Sequence, residues 1–205
     1  MELQTHRFIP ITHVEGPGKR ACLWVQGCPI QCKGCGVPWT WPKDGGTSIS
    51  VDELFEKIRI SLKENNIEGV TFLGGEPFEQ AEGLVELSKM VKSLGLSIMT
   101  FSGYTIEKIK GFNCSRCDEL LSLTDLLIDG PFVESKLDLS MPWKGSSNQR
   151  YHFLTHRYAE LEDKLEQIPN RIEVQFGENG EFAVNGMAQQ TDLKNLLEGI
   201  GKRKL

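Results

Sequence analysis

Apolar positions along this chain repeat with two periods. Val51, Leu54, Phe55, Ile58 and Leu62 recur at helical spacing, and Ser50 with Glu53 forms a capping box ahead of them, which predicts a helix. A second helical face reads Phe78, Ala81, Leu84, Val85, Ser88, Val91 and Leu94, with Pro77 in its first turn and Gly95 at its end. Between and around these lie short apolar runs. Arg20 to Gly27 (RACLWVQG), Glu68 to Leu73 (EGVTFL), Leu96 to Phe101 and Asp125 to Asp129 (DLLID) read as buried strands. A further helical stretch starts near Thr105. Strand and helix alternate, so an α/β fold with right-handed βαβ units on a parallel sheet is expected.

Three segments break this rhythm. A loop rich in Cys, Gly, Pro and Trp runs to about Gly46. From Gly130 to Arg150 the pattern is irregular, with two Pro and a Gly-Ser-Ser-Asn run. Long loops at the carboxyl ends of parallel strands tend to carry function. In the tail, Arg157 to Gln167 reads as helical. Arg171 to Phe176 and Glu181 to Val184 flank Gly177-Glu178-Asn179-Gly180, a hairpin signal, and Thr191 to Leu197 reads as a closing helix. Phe176, Phe182 and Val184 give the hairpin an apolar face that must cover something. The expected organisation is a core over residues 1–156 with residues 157–205 as an appendage of the same domain.

Length and charge narrow the class. A chain of 205 residues suits one domain with a core of its own. Its formal net charge of −5 argues against a broad nucleic-acid or anionic-membrane surface. With no long apolar run and no signal-peptide pattern, a cytoplasmic protein is expected. There the six cysteines point to metal rather than to disulfides.

Three of them stand in Cys28-Pro-Ile-Gln-Cys32-Lys-Gly-Cys35. One such loop can wrap a metal centre. A cubane iron–sulfur cluster takes four ligands, so three thiolates leave one iron open, as catalytic metal sites do. Zinc is the alternative, and Cys114-Ser-Arg-Cys117 offers it a second pair on paper. Gly74-Gly75-Glu76-Pro77 lies where a strand turns into a helix, at the sheet end where α/β folds bind ligands. Two glycines let backbone approach a ligand, and the Glu76 carboxylate suits an ammonium group. A plain β–α turn is the other reading.

Together the cysteine loop and the Gly-Gly-Glu-Pro turn resemble the radical SAM superfamily. Within it, Val14-Glu15-Gly16-Pro17-Gly18-Lys19-Arg20 is similar to the Gly-Pro-Gly-x-Arg segment of glycyl-radical-enzyme activases. Gly34, Phe101-Ser102-Gly103-Tyr104, Asp129-Gly130-Pro131-Phe132-Val133 and Lys144-Gly145-Ser146-Ser147-Asn148-Gln149 resemble the activating proteins of anaerobic ribonucleotide reductases. The likeness runs from about His13 to about Leu154. It implies a partial, open (β/α)6-type TIM barrel of parallel strands, here with a C-terminal helix–hairpin–helix appendage. It implies a [4Fe–4S] cluster on Cys28, Cys32 and Cys35, with S-adenosylmethionine on the open iron and Gly74, Gly75, Glu76 and Pro77 at its amino group. Reductive cleavage would give a 5′-deoxyadenosyl radical that abstracts hydrogen from a glycine of a partner glycyl radical enzyme. The electron would come from a flavodoxin- or ferredoxin-like donor. No acid–base residue is required beyond the cluster ligands. Two departures stand out: Gly36 where relatives tend to have an aromatic, for which Trp39 or Trp41 could substitute, and the tail of about fifty residues.

Other residues have double readings. Asp129 could bond ribose hydroxyls or close its strand, and Ser102 and Gly103 could line ribose or adenine. Ser147, Asn148 and Gln149 offer ligand or partner contacts in a loop of little other structure. Cys114 and Cys117 could be a reactive dithiol, half of an intermolecular site or small buried hydrophobes, of which the last is the preferred reading, and no histidine is assigned. Two rival functions remain: a radical SAM reaction on another peptide or small molecule, and a non-catalytic iron–sulfur or zinc module.

Overall fold

The computed structural model describes residues 1–176 and 182–189, and the single positions 191, 195 and 198. Its strands are β1 (Glu2–Thr12), β2 (Arg20–Val25), β3 (Thr47–Ser50), β4 (Gly69–Gly74), β5 (Ser97–Phe101), β6 (Leu126–Asp129), β7 (Arg150–Phe153), β8 (Ile172–Phe176) and β9 (Phe182–Gly186). The first seven form one sheet in the order β3-β1-β2-β4-β5-β6-β7. Strands β2, β4, β5 and β6 pair in parallel, and β1, β3 and β7 add antiparallel strands at the two sides. The sheet is therefore mixed, where the alternation of elements had predicted a parallel one.

The apolar runs of the parallel strands split by alternate residues between two cores. Ala21, Leu23, Val25, Val70, Phe72, Ile98 and Leu127 face the helices α1 (Val51–Asn65), α2 (Ala81–Ser93) and α4 (Ser115–Leu123), meeting Leu54, Ile58, Leu84, Leu87 and Leu120. The intervening residues face the other way. Met99, Leu126 and Ile128 pack with Trp143 and Leu165, while Cys22, Trp24 and Leu73 pack with Ile9. Both faces are covered, which is why these strands read as continuous hydrophobic runs. Helix α1 begins as its capping box requires, with Ser50 Oγ accepting from Glu53 N at 3.1 Å. Pro77 opens a 3₁₀ turn, Pro77–Gln80, that leads into α2. The stretch after Thr105 divides into α3 (Ile106–Lys110) and α4.

Arg20 is the largest side chain that is fully buried. Its guanidinium donates to Thr71 Oγ1 (2.7 Å), Ser97 Oγ (3.0 Å), Tyr158 Oη (2.8 Å), Pro17 O (3.1 Å) and Val70 O (2.7 Å). Gly69 makes room for it: a Cβ there would lie 2.5 Å from Arg20 Nη1.

The tail lies against the face of the sheet away from the helices. His156–Gln167 forms 3₁₀ turns broken at Tyr158 (φ −124°, ψ 17°), where an α-helix was expected. The break brings the Tyr158 hydroxyl onto Arg20 and Ser97, and Leu165 is buried beside Met99 and Ile128. The hairpin β8–β9 pairs antiparallel as expected, and its turn lies outside the described residues. It is held to the end of β1 and the segment after it by polar contacts. Glu173 accepts from Thr12 Oγ1 (2.6 Å) and His13 N (2.9 Å), Gln175 Nε2 donates to Ile11 O (2.8 Å), and Gly186 N donates to Glu15 Oε1 (2.8 Å). Phe176 is 68% exposed, so it does not supply the covering apolar face expected of it. The closing helix expected over Thr191 to Leu197 lies outside the described residues, isolated positions apart.

Candidate cluster and cofactor site

The cysteine loop leaves the end of β2 and is closed on itself. Gly27 N donates to Thr40 O (2.8 Å), Cys28 N to Trp41 O (3.0 Å), and Gln26 Nε2 to Trp39 O (3.1 Å) and Pro42 O (2.8 Å). Left-handed residues at Gln31 (φ 50°) and Gly34 (φ 76°) bend the chain between the cysteines. Cys28, Cys32 and Cys35 are all partly exposed, whereas Cys22 and Cys117 are buried. Burial holds the Cys28 and Cys32 thiols above their ordinary range, and their charged neighbours add to it: Glu76 and Cys35 for Cys28, Cys35 and Cys28 for Cys32. The three sulfurs therefore sense one another, and a cationic centre would favour all three thiolates at once. Among the described residues, no three His, Cys, Asp or Glu side chains gather around one point as a single ion requires. A cluster takes each thiolate on its own iron, and three partly exposed thiols on one loop are the donor chemistry that fits one.

The Gly-Gly-Glu-Pro turn leaves β4 beside this loop. Gly75 N donates to Val25 O (2.8 Å) and Glu76 N to Gly27 O (2.9 Å). A Cβ on Gly75 would fall 2.5 Å from Gly27 O, and one on Gly74 (φ 101°) would fall 2.8 Å from the Cα of Trp24. The glycines thus let the turn approach the chain's own backbone at the root of the cysteine loop. Besides the approach to a ligand read from the sequence, the absent Cβ of Gly75 allows a close approach to Gly27. Gly75→Val is accordingly expected to displace Gly27 and Cys28 and to lower iron incorporation along with any cofactor affinity. Iron analysis of the folded, reconstituted variant checks this; wild-type iron content would contradict it.

Glu76 is fully buried and caps the Pro77–Gln80 turn. Its Oε1 accepts from Phe78 N (3.1 Å) and Ser102 Oγ (2.9 Å), and its Oε2 from Gly103 N (2.8 Å). Burial pushes its carboxyl up to about 7 in spite of these three donors. Glu76, Ser102 and Gly103 are therefore one hydrogen-bonded group joining the ends of β4 and β5. Beside it opens a cavity of about 400 Å³ lined by Pro29 and Ile30 of the cysteine loop and by Gly103, Tyr104, Thr105, Lys108 and Pro131. Ile30 and Lys108 carried no signal in the sequence. Trp39 is 57% exposed, with its ring 6.4 Å from that of His6.

Asp129 ends β6 fully buried and fully engaged. Arg150 grips it through Nε (2.9 Å) and Nη2 (2.6 Å), and Ile106 N donates to its Oδ2 (2.7 Å). Burial opposes its ionisation, but the Arg150 guanidinium and the Ile106 amide outweigh that and hold the carboxyl below its ordinary value. Of its two readings, these contacts favour strand closure. A lowered pKa in the fold means a contribution to stability that is complete above the unfolded value and is lost as pH falls through the folded one. Asp129→Asn should cost about 1–3 kcal/mol at neutral pH in the cofactor-free chain. It should also flatten the acid limb of a plot of stability against pH. An unchanged limb in urea unfolding would refute this.

The loop after β6 folds back over the cysteines. A Cβ on Gly34 would lie 3.2 Å from Phe132 Cε1, and Lys33 pairs with Glu134 at 3.1 Å. Asn148 Nδ2 donates to Pro131 O (2.8 Å), while its Oδ1 is buried without a partner. That orphaned acceptor next to a cavity-lining residue suits a ligand donor. Ser147 is exposed, and Gln149 holds the loop through Gly145 N (2.8 Å) and Gly130 O (3.2 Å).

Similarity to known proteins agrees with this geometry. The 4Fe-4S single cluster domain matches residues 14–152. The anaerobic ribonucleoside-triphosphate reductase-activating protein of Vibrio cholerae is 34% identical over 73% of this chain and 97% of its own length. Its counterparts from Escherichia coli K12 (30% identical, 73% of this chain and 97% of that one) and Enterobacteria phage T4 (33% identical, 70% and 90%) are similarly matched. Among solved structures, QueE from Escherichia coli overlaps 51% of this chain and 54% of its own, at 20% identity and a TM-score of 0.42.

Proposed function

Because the chain belongs to the 4Fe-4S single cluster domain family and to the anaerobic ribonucleoside-triphosphate reductase-activating proteins, we propose that it is a radical SAM activase acting on a glycyl radical enzyme. The observation that carries this reading is the set of three partly exposed thiols on one loop, set against the buried Glu76–Ser102–Gly103 group. Cys28, Cys32 and Cys35 would hold the [4Fe–4S] cluster. When bound, the cluster and S-adenosylmethionine supply reductive cleavage of the sulfonium and hydrogen abstraction from a glycine Cα of the partner.

The chain's own residues position and enclose. Glu76, fixed by Ser102 and Gly103, sets the Gly74–Pro77 turn beside Cys28 and would face the amino group of the methionine. The cavity lined by Ile30, Gly103, Tyr104 and Pro131 would exclude water from the nucleoside end. Asn148 would offer its unpaired Oδ1 to a hydroxyl there, with the exposed Ser147 next to it. No proton transfer is needed for hydrogen abstraction, which accords with the absence of a histidine or paired-carboxylate constellation in the motifs.

The succession β2-β4-β5-β6, each parallel strand added on the same side, supports an open barrel with a free edge for a protein-sized substrate. We read residues 157–205 as its appendage on a core of 1–156. Among the described residues no helix is long and apolar enough to cross a membrane; a cytoplasmic setting and a flavodoxin- or ferredoxin-like donor complete the proposal.

The test is anaerobic reconstitution with iron and sulfide followed by reduction. The expected result is consumption of S-adenosylmethionine to 5′-deoxyadenosine and methionine, and a glycyl radical signal when an anaerobic ribonucleotide reductase is added. A reduced, cluster-loaded protein that leaves S-adenosylmethionine intact would overturn the activase reading. Cleavage without a radical on the reductase would favour a different substrate.

A further inference from the structure

Cys114 and Cys117 lie outside the site described above, on a helix of nine residues, α4. Cys114 is its N-cap, in extended conformation (φ −107°, ψ 106°), and its Sγ accepts from Cys117 N at 3.2 Å. Cys117 follows in the first turn and is only 3% exposed, its thiol directed toward Phe78 O at 3.9 Å. Cys114 is partly exposed, between exposed Asn113 and Ser115. One helical turn therefore presents an accessible sulfur at a helix N-terminus and a buried sulfur behind it. Cys117 is a buried core residue, while Cys114 packs against the same core and remains partly exposed.

The electrostatics of the turn separate the two thiols further. The neighbouring Cys117, and with it the N-terminal amides of α4, one of which donates to the Cys114 sulfur, hold Cys114 below the usual thiol range. Burial pushes Cys117 up to about 12. Arg116, between them, is engaged with Glu119 (2.8 Å) and Glu86 (3.4 Å) and leaves Cys114 free. A low-pKa exposed thiol followed by a buried one at Cys-x-x-Cys spacing is the arrangement that thiol–disulfide exchange needs.

We propose that Cys114 and Cys117 form a redox-active dithiol that exchanges with low-molecular-weight disulfides, Cys114 attacking and Cys117 resolving. The Cys114 thiolate attacks one sulfur of the external disulfide, forming a mixed disulfide and expelling one thiolate. Cys117 then gives up its proton, attacks the Cys114 sulfur and expels the second thiolate. The dithiol loses two electrons and the external disulfide gains them as two thiols; excess thiol reverses both steps. Phe78, which Cys117 faces, stands two residues after Glu76, so the couple adjoins the candidate cofactor wall without being part of it.

The experiment uses the full chain, reconstituted with its cluster and held anaerobically in mixtures of glutathione and glutathione disulfide. After alkylation, peptide mapping by mass spectrometry assigns each cysteine. A Cys114–Cys117 disulfide is expected in oxidising mixtures and should revert with added dithiol, while Cys22 remains a thiol. In the reduced protein, brief alkylation should label Cys114 at least roughly tenfold faster than Cys117. Cys117→Ser should accumulate a glutathione adduct on Cys114, and Cys114→Ser should form none on Cys117. Free thiols at both positions in every mixture would overturn the proposal, as would an adduct on Cys117 in the Cys114→Ser protein. A merely helix-capping role for Cys114 produces no disulfide.

Discussion

Replacing Cys28, Cys32 and Cys35 together with alanine will abolish iron binding in anaerobically reconstituted protein. The visible absorption of the cluster and its paramagnetic signal on reduction should vanish with the iron, while the far-ultraviolet circular dichroism stays that of the wild type. The expectation of intact folding rests on the loop's own closure. Its backbone is pinned by Gly27 to Thr40, Cys28 to Trp41 and Gln26 to Trp39 and Pro42, and none of these bonds uses a cysteine side chain. The three thiols are partly exposed, so their loss opens no core cavity. Cys114→Ser provides the control, because Cys114 lies on α4 and should not change iron content. Full iron in the triple variant would remove the basis of the proposed function, and one equivalent of zinc in the wild type without acid-labile sulfide would replace the cluster with a mononuclear site.

The elements that the chain's pattern revealed are those with strong periodicity: α1, α2 and the four parallel strands, whose residues are buried on both faces. The antiparallel strands of the seven-stranded sheet were not legible, unlike those of the tail hairpin. β1 buries Leu3, Thr5, Ile9 and Thr12, but two of these are polar and register shifts interrupt the alternation between Thr5 and Arg7 and between Ile9 and Thr12. β3 is four residues of Thr, Ser and Ile, and β7 has no residue fully buried. Strands of this kind are stabilised by their neighbours rather than by a signal of their own. The tail illustrates the same limit. Arg157 to Gln167 read as helical, and the structure has 3₁₀ turns there with a break at Tyr158, whose hydroxyl meets Arg20, distant in sequence.

The site was legible as residue types and opaque as contacts. Cys28, Cys32, Cys35, Glu76, Ser102 and Gly103 are spread over three strand ends, and the parallel register of β2, β4 and β5 brings those ends together. What the motifs did not disclose is which partners are internal. Asp129 read equally as a ribose contact or a satisfied strand-end carboxylate, and only the structure shows that Arg150 and Ile106 N donate to it. Arg150 carries no motif; only the pairing of β6 with β7 places it there. Gly75 presented as room for a ligand, and the structure adds that a side chain there would meet Gly27 O.

Arg20→Met is expected to destabilise the cofactor-free protein by about 3 kcal/mol or more, judged from the several buried acceptors it would leave unpaired. In the wild type the guanidinium satisfies three backbone carbonyls, of Pro17, Val70 and Ser97, and three hydroxyl groups in a space that Gly69 keeps open. Methionine fills part of that volume and donates to none of them. For a chain of this length the loss corresponds to a fall in melting temperature on the order of 10 °C. Tyr158→Phe removes one of the six acceptors and should cost about 1 kcal/mol. The two effects should not fully add: in the Arg20→Met background, Tyr158→Phe should cost less than in the wild type, because only the bond of its hydroxyl to Ser97 Oγ is left to lose. That non-additivity measures how the tail is fastened to the sheet, since Tyr158 belongs to the appendage and Arg20 to β2. Iron incorporation into folded Tyr158→Phe protein should equal that of the wild type if the cluster site is complete without the tail. Equal costs for Tyr158→Phe in both backgrounds would show that the tail is held elsewhere, by the hairpin contacts to Thr12, His13 and Glu15, and that Arg20 serves the sheet alone.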